Sequence, residues 1–252
     1  MPITPAHAAA AWPLHRAWRR LPLAALVIGT MAPDLEYVLR LEPRGKFGHS
    51  PAGLVLFCLP VTLLVWSYWR SLVRPALTPL LPPGLRREAE AEPPGRRSDT
   101  LPLAIFAALL GALTHVLWDG FTHDTGWAVA MFPALAAWVP GRPGLTWYFI
   151  LQVTSSAIGA VIVTAWIARE VWRRPPETRR FAPGQLARLL RVAAFVGTVT
   201  FAAAAANAMF TSGLAWRLGR AAVGAMLGFA IALVVYSAYA RWRAGEPVES
   251  SA

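Results

Sequence analysis

Charged residues are scarce in this chain of 252 residues. They make up 15% of the sequence, whereas a soluble domain usually has about 25%. Hydrophobic residues make up 56% and are gathered in long blocks that few polar residues interrupt. This composition excludes an ordinary soluble domain and predicts a polytopic membrane protein.

Cysteine and lysine each occur once, as Cys58 and Lys46. A single cysteine excludes an internal disulfide, and its position inside an apolar block predicts a buried, unreactive thiol. The net charge of +11 therefore comes almost entirely from arginine. In a soluble chain this balance would suggest nucleic acid, but the arginines here cluster between apolar blocks, as topology signals do. We expect no nucleic-acid partner.

Five apolar blocks are long enough to cross a lipid bilayer as helices. The predicted fold class is therefore all-α, a polytopic membrane bundle with about five full spans. The predicted spans are Ala52–Trp69, Leu101–Trp118, Trp147–Ala168, Val192–Phe210 and Ala221–Ala240.

Two shorter apolar arms, Ala8–Leu14 and Leu21–Met31, precede the spans and flank a bend at Arg16–Arg20. At about 1.5 Å per residue, the stretch Leu21–Pro33 covers only about 20 Å of a hydrocarbon core about 30 Å thick. The spacing predicts a partly inserted helical hairpin. Its two free ends would bring His7 and Asp34 to a similar depth.

Arginine is concentrated in residues 70–100, interpreted as a flexible linker, and in residues 169–191. The positive-inside rule places both segments, the N-terminal bend and the C-terminal tail in the cytoplasm. Residues 40–51 and 119–146 then lie outside. We predict a multi-pass protein of the cytoplasmic (inner) membrane.

We divide the chain into an N-terminal region, 1–126, and a C-terminal region, 127–252. The first carries the candidate site together with the linker. The second contains the later transmembrane helices and a basic cytoplasmic loop. The two regions are expected to form one integrated membrane domain.

The segment Thr114–His123 ends an apolar block, yet it carries His115, Asp119 and His123. Residues four apart share one face of a helix, so a helix that continues past Gly120 aligns all three side chains. Imidazole and carboxylate groups on one face suit a divalent transition metal. The alternative is a polar stripe that meets other helices or a solvated helix end.

With the predicted topology, His49 lies on the same outer face as this trio, and the hairpin would add His7 and Asp34. The candidate metal ligands are therefore His7, Asp34, His49, His115, Asp119 and His123. Six candidates exceed the needs of one tetrahedral zinc, so they suit two ions, or one ion with supporting acid–base groups. Glu36 is either a catalytic base or a solvated acid near Arg40.

The order His7, Pro33-Asp34-Leu35-Glu36, Gly48-His49-Ser50 and His115-x-x-x-Asp119 resembles bacterial membrane-bound metal-dependent hydrolase-like proteins of the DUF457 type. The segments Met1–His7, Met31–Tyr37 and Trp118–His123 most resemble the DUF4184 family, a domain of unknown function. The ligand order is also similar to that of zinc-dependent phospholipase C and P1-type nucleases.

These resemblances imply a helical phosphodiesterase in which the six residues are ligands and Asp119 bridges two metals. The chain departs from the phospholipase pattern because no histidine follows His123, so the final His-x-x-x-Glu pair is absent. The usual second acid of the membrane-bound family is Asp, and Glu36 stands here.

Three hypotheses follow. The first is a hydrolase that uses one or two metal ions, with zinc expected, to cleave a phosphoester such as a lipid headgroup at the outer face. His123 is then a ligand or proton donor. The second is a membrane scaffold or partner-binding protein with a structural metal or polar cluster. The third is a transporter, which ranks last because the spans offer no inverted repeat.

Overall fold

The computed structural model describes residues 4–91 and 100–245. Within this part the chain is almost entirely helical. The described strands form one antiparallel hairpin, Trp138–Val139 with Arg142–Thr146. Residues 92–99 of the predicted linker and the tail beyond Gly245 lie outside the described residues.

The helices are numbered in chain order. They are α1 (Ala11–Ala17), α2 (Leu23–Met31), α3 (Leu35–Arg40), α4 (Pro51–Leu80), α5 (Pro83–Ala91), α6 (Leu101–Thr122), α7 (Trp127–Met131), α8 (Trp147–Trp172), α9 (Gln185–Ala208) and α10 (Leu214–Gly245). Within α4, two π-helical turns and a final 3-10 turn cover Leu54–Cys58, Trp69–Val73 and Thr78–Leu80. Separate 3-10 segments are Thr4–Ala10, Ala32–Asp34, Pro133–Leu135 and Pro176–Arg179.

Five of these helices, α4, α6, α8, α9 and α10, are long and apolar enough to cross a membrane. Large apolar side chains cover their outer surfaces: Leu56, Leu64 and Phe201 are 69%, 71% and 76% exposed. Such surfaces fit a hydrocarbon environment. The structure confirms the prediction of an all-α polytopic bundle.

The helices extend beyond their predicted limits. Helix α4 continues past Trp69 to Leu80, and α6 continues past Trp118 to Thr122. Apolar blocks locate the part of a span that suits lipid, whereas the helix itself continues into the residues that follow. In α6 this extension keeps Asp119 on the same helix as His115.

The segment predicted as a linker is helical over much of its described length. Helix α5 is stabilised by an ion pair four residues apart, in which Arg86 Nε lies 2.7 Å from a carboxylate oxygen of Glu90. The flexibility of residues 70–100 stays a prediction.

The N-terminal arms form a helical hairpin, as predicted. Helix α1 ends at Ala17, and α2 begins at Leu23 after a turn in which the Leu21 N–H donates to the Trp18 carbonyl. The two helices pack on each other. How deeply this hairpin enters a bilayer stays a prediction.

The chain divides into two compact units, Met1–Trp66 with Gly95–Arg173, and Ser67–Pro94 with Arg174–Ala252. This division follows packing and does not coincide with the predicted regions 1–126 and 127–252. That earlier division stays a prediction.

The first unit is built around the packing of α2 on α6. A Cβ atom at Gly29 would lie 2.6 Å from the carbonyl oxygen of Ala108, and one at Gly111 would lie 2.5 Å from that of Leu26. Glycine at both positions lets the two backbones approach closely. The surrounding core consists of Ala11, Leu21, Ala25, Leu26, Trp66, Ala104 and Ala107.

The second unit contains the helical hairpin of α9 and α10. A Cβ atom at Gly224 would lie 2.4 Å from the carbonyl oxygen of Ala203, so these helices also pack through a small residue. Near the connection, Arg220 donates to the backbone and side-chain oxygens of Asn207. The arginine thereby satisfies a carbonyl at the end of α9.

Candidate metal centre

Three separate segments of the first unit supply four side chains to one cluster. Asp34 ends the 3-10 turn after α2, His49 lies just before α4, and His115 and Asp119 lie one turn apart on α6. One donor atom from each of the four residues lies within 4.8 Å of the other three. We call these four residues the metal cluster.

The distances within the metal cluster are nearly equal. Nε2 of His49 and Nε2 of His115 are 3.2 Å apart. The same His115 atom lies 3.5 Å from Oδ1 of Asp34 and 3.2 Å from Oδ2 of Asp119. Nε2 of His49 lies 3.6 Å and 3.4 Å from these two oxygens.

These separations match the edges of a coordination tetrahedron. Ligand atoms placed at about 2.0–2.1 Å from a tetrahedral zinc are roughly 3.3 Å from one another. Five of the six edges between the four residues fall close to that value. The metal cluster can therefore hold a small four-coordinate metal ion.

Hydrogen bonds prepare two of these side chains for metal binding. Nδ1 of His115 lies 2.8 Å from the carbonyl oxygen of Thr30, which can only accept, so Nδ1 carries the proton and Nε2 presents its lone pair. The Thr4 hydroxyl donates to Oδ2 of Asp34 at 2.5 Å, and Oδ1 of Asp34 faces the cluster. His115 is fully buried and Asp34 is 2% exposed.

His7 lies directly beside the metal cluster. Its ring stacks on that of His115 with centroids 3.8 Å apart, and its Nε2 atom is 3.4 Å from Oδ1 of Asp119. Neither of these two buried atoms has a hydrogen-bond partner within the described residues. Burial lowers the pKa of His7 to about 4, so the ring is neutral at pH 7 and can act as a ligand.

His123 lies at the edge of the cluster rather than within it. Its Nδ1 atom is 3.5 Å from Oδ2 of Asp119 and 3.3 Å from the Asp119 carbonyl oxygen. The amide nitrogen of Gln152 on α8 donates to Nε2 of His123 at 3.2 Å. Burial lowers the pKa of His123, which keeps its ring neutral. The contacts favour a supporting role, while the ligand role stays a prediction.

Glu36 is buried at 4% exposure and faces the loop before α4. One carboxylate oxygen lies 2.8 Å from Nε of Arg40, and the other accepts the backbone N–H of Gly48 at 2.8 Å. The acid is therefore near Arg40, as predicted, but the expectation that it is solvated was wrong because the loop folds over it. Its use as a base stays a prediction.

The same loop is fixed at both sides of His49. The Cys58 thiol donates to the Gly48 carbonyl at 3.2 Å, which confirms that the only cysteine is buried. The Ser50 hydroxyl caps α4 by accepting the Gly53 N–H at 3.0 Å. These bonds, with that from the Gly48 N–H to Glu36, fix the backbone on both sides of His49.

We predict that Glu36→Gln lowers metal affinity about tenfold to a hundredfold, the usual effect of losing a group that orients a ligand. In glutamine, one of the two accepting oxygens of Glu36 is replaced by an NH2 group, which would face another donor, either Arg40 or the Gly48 N–H. The loop then loses one of these bonds, and His49 loses its fixed orientation. Competition with a chromophoric chelator measures the affinity of the purified protein.

The matched control is Glu170→Gln, which removes the same charge from an exposed position on α8. It should leave affinity unchanged. Normal metal affinity combined with lost turnover in Glu36→Gln would contradict the positioning role and assign the carboxylate a direct part in proton transfer.

The sequence reasoning missed the polar groups around the ligands. Thr4 contributes a hydroxyl to Asp34, and Thr30 contributes to His115 a backbone carbonyl that no side-chain pattern reveals. Gln152 offered a signal, because it is a strongly polar residue within an apolar span. His15, in contrast, lies at the hairpin bend and contacts the Leu21 carbonyl at 3.1 Å.

Comparison with known proteins gives one match. No curated protein and no solved structure matches the chain. The family model described as "Domain of unknown function (DUF4184)" matches residues 1–238, which include every element of the metal cluster. The chain therefore belongs to the DUF4184 family.

Proposed function

We propose that this protein is a membrane-bound, metal-dependent hydrolase of a phosphoester. The proposal is carried by one observation: the chain provides more donor atoms than a closed four-ligand site requires. His7 Nε2 and Asp119 Oδ1 face each other beside the metal cluster, and both lack hydrogen bonds within the described residues. Unsatisfied buried polar atoms are costly, so an additional ligand or a second ion would stabilise them.

Zinc is the proposed metal. Two imidazole nitrogens and two carboxylate oxygens suit Zn²⁺, and their nearly equal separations suit a small tetrahedral ion. Calcium prefers six to eight oxygen ligands at longer distances, and an imidazole-containing set disfavours it. The metal cluster would hold one ion, and His7 with the second oxygen of Asp119 would offer donor atoms to another.

A bound zinc ion would supply Lewis acidity and lower the pKa of a water molecule to about 7. Asp34, His49, His115 and Asp119 would hold it. The side chain of His123 is 23% exposed, so its Nε2 atom could give up its bond with Gln152, take a proton from the attacking water and then pass that proton to the leaving oxygen. Glu36 would keep His49 in place.

The substrate class rests on two supports. The ligand order resembles that of zinc-dependent phospholipase C and P1-type nucleases, which cleave phosphodiesters. The five spans make membrane lipid the nearest abundant source of phosphoesters. By the distribution of arginine, we place the site at the non-cytoplasmic face of the inner membrane.

The full chain, purified in detergent and loaded with zinc, should hydrolyse bis(p-nitrophenyl) phosphate or phosphatidylglycerol. His115→Ala should reduce turnover about a thousandfold or more, since losses of that size follow removal of central catalytic groups. His15→Ala, outside the cluster, should retain it. A zinc-loaded wild-type protein that cleaves no phosphomonoester, phosphodiester or phospholipid would overturn the proposal.

The second candidate is a structural metal in a membrane scaffold. Four protein ligands already complete a tetrahedron, and closed sites of that kind are structural. Cobalt substitution separates the two candidates. An open site should change its visible spectrum when phosphate is added, whereas a closed four-ligand site should keep its spectrum.

A further inference from the structure

The second unit has two adjoining cavities where α9 begins and α10 ends. Their volumes are about 640 Å³ and about 760 Å³. Pro79, Arg188 and Arg191 line both cavities, so the two spaces share one wall. We call the smaller space the basic cavity and the larger one the mixed cavity.

The basic cavity is lined by four arginines, Arg86, Arg87, Arg188 and Arg191. Its one acidic lining residue, Glu90, lies 2.7 Å from Arg86 and neutralises that charge. Within the described residues, neither Arg87 nor Arg188 has a carboxylate within ion-pair distance. Among the described lining residues, four arginines face one carboxylate, so positive charge is in excess. Guanidinium groups bind phosphate oxygens through paired hydrogen bonds.

The mixed cavity places apolar and polar groups side by side. Ala76 and Leu80 contribute buried apolar surface at 8% and 4% exposure. Ser237 also lines it, is 1% exposed, and its hydroxyl has no hydrogen-bond partner within the described part of the chain. A buried hydroxyl without a partner is costly, which indicates a ligand oxygen at this wall.

A side-chain amide fixes the entrance of the basic cavity. Gln185 Nε2 donates to the carbonyl oxygens of Pro79 and Leu81, which joins the start of α9 to the segment after α4. Both of its partners belong to the same compact unit. These bonds hold the start of α9, which carries Arg188 and Arg191, close to the segment that leads into α5.

We propose that these cavities bind one anionic phospholipid, with its phosphate in the basic cavity and its glycerol and first acyl carbons in the mixed cavity. A free phosphate would account for the arginines but not for the adjoining apolar wall. Both cavities lie at the ends of membrane-spanning helices, where lipid headgroups are found. Basic pockets between such helices on the cytoplasmic side commonly hold anionic lipid. This site is independent of the metal cluster.

Native mass spectrometry of the full chain in detergent tests this proposal with added phosphatidylglycerol and phosphatidylcholine. Wild type should retain phosphatidylglycerol about tenfold or more over phosphatidylcholine, and excess inorganic phosphate should not displace it. Arg188→Gln with Arg191→Gln should lower retention of phosphatidylglycerol about tenfold or more, since each basic residue near a lipid surface contributes about 1 kcal/mol.

The control is Arg16→Gln with Arg19→Gln, which removes two exposed arginines from the N-terminal bend. It should retain the lipid as wild type does. A second test pair, Arg188→Gln with Arg241→Gln, changes one lining residue on α9 and one on α10. It should also lose retention, so the proposal does not depend on the folding of one variant. Equal losses in control and test variants, displacement by phosphate, or equal retention of both lipids would overturn it.

Discussion

Asp119→Asn should lower the zinc affinity of the purified protein by about a hundredfold or more. Loss of a group that only orients a ligand already lowers metal affinity by up to about a hundredfold. The Asp119 carboxylate contacts His49 and His115 through one oxygen and faces His7 through the other. Asparagine has the same shape but lacks the charge that balances a divalent cation. Elemental analysis gives the metal content, and competition with a chromophoric chelator gives the affinity.

The matched control is His15→Ala, which removes an imidazole from the same unit but from outside the metal cluster. Its zinc content should equal that of wild type. An Asp119→Asn protein that binds zinc as tightly as wild type would show that this carboxylate is not a ligand, and the metal cluster would then be a hydrogen-bonded contact between helices.

Removing the metal should destabilise the first unit strongly. A ligand present at about a thousand times its dissociation constant stabilises the folded state by about 4 kcal/mol. For a chain of this size, that free energy corresponds to roughly 8–16 °C in the unfolding midpoint. Without a cation, the buried carboxylates of Asp34 and Asp119 lie close together beside the imidazoles of His49 and His115, and the site loses the divalent charge that balances two acids. Thermal unfolding in detergent, followed by circular dichroism before and after chelation, measures this change.

The effect should be specific to the metal and to the cluster. Zinc should restore the midpoint after chelation, whereas magnesium should not, because it prefers six oxygen ligands. The midpoint of Asp119→Asn should respond little to the chelator. If wild type unfolds at the same temperature with and without chelator, the cluster does not contribute metal-binding energy to the fold.

The transmembrane architecture could be predicted because a bilayer imposes a length on every apolar block. Each of the five predicted spans falls on one helix of the structure. Helix α4 extends eleven residues beyond Trp69 to Leu80, whereas α9 ends at Ala208, two residues short of the predicted Phe210. Helix ends were harder to predict, because hydropathy reports contact with lipid whereas the helix continues through polar turns. The family assignment was also available from short motifs such as Met31–Tyr37.

The candidate ligands could be predicted because histidine is rare here and costly beside hydrocarbon. Six residues from four segments were expected at one place, and the structure gathers them in one unit. The sequence could not distinguish the four cluster residues from His7 and His123. It also could not place the Glu36 carboxylate on the Gly48 N–H, because the path of a loop depends on tertiary contacts that no local pattern encodes.

The end of α2 at Met31 has a consequence for how the first unit assembles. A helix that stops leaves its last carbonyl groups without intrahelical partners, and Pro33, three residues after Thr30, has no N–H to offer. The imidazole of His115 donates to the Thr30 carbonyl, so the residue that would bind metal also completes the end of a neighbouring helix. Docking of the hairpin onto α6 and orientation of the His115 ligand thus depend on the same hydrogen bond. A chain whose hairpin slipped by one residue along α6 would lose both the docked helix end and the site.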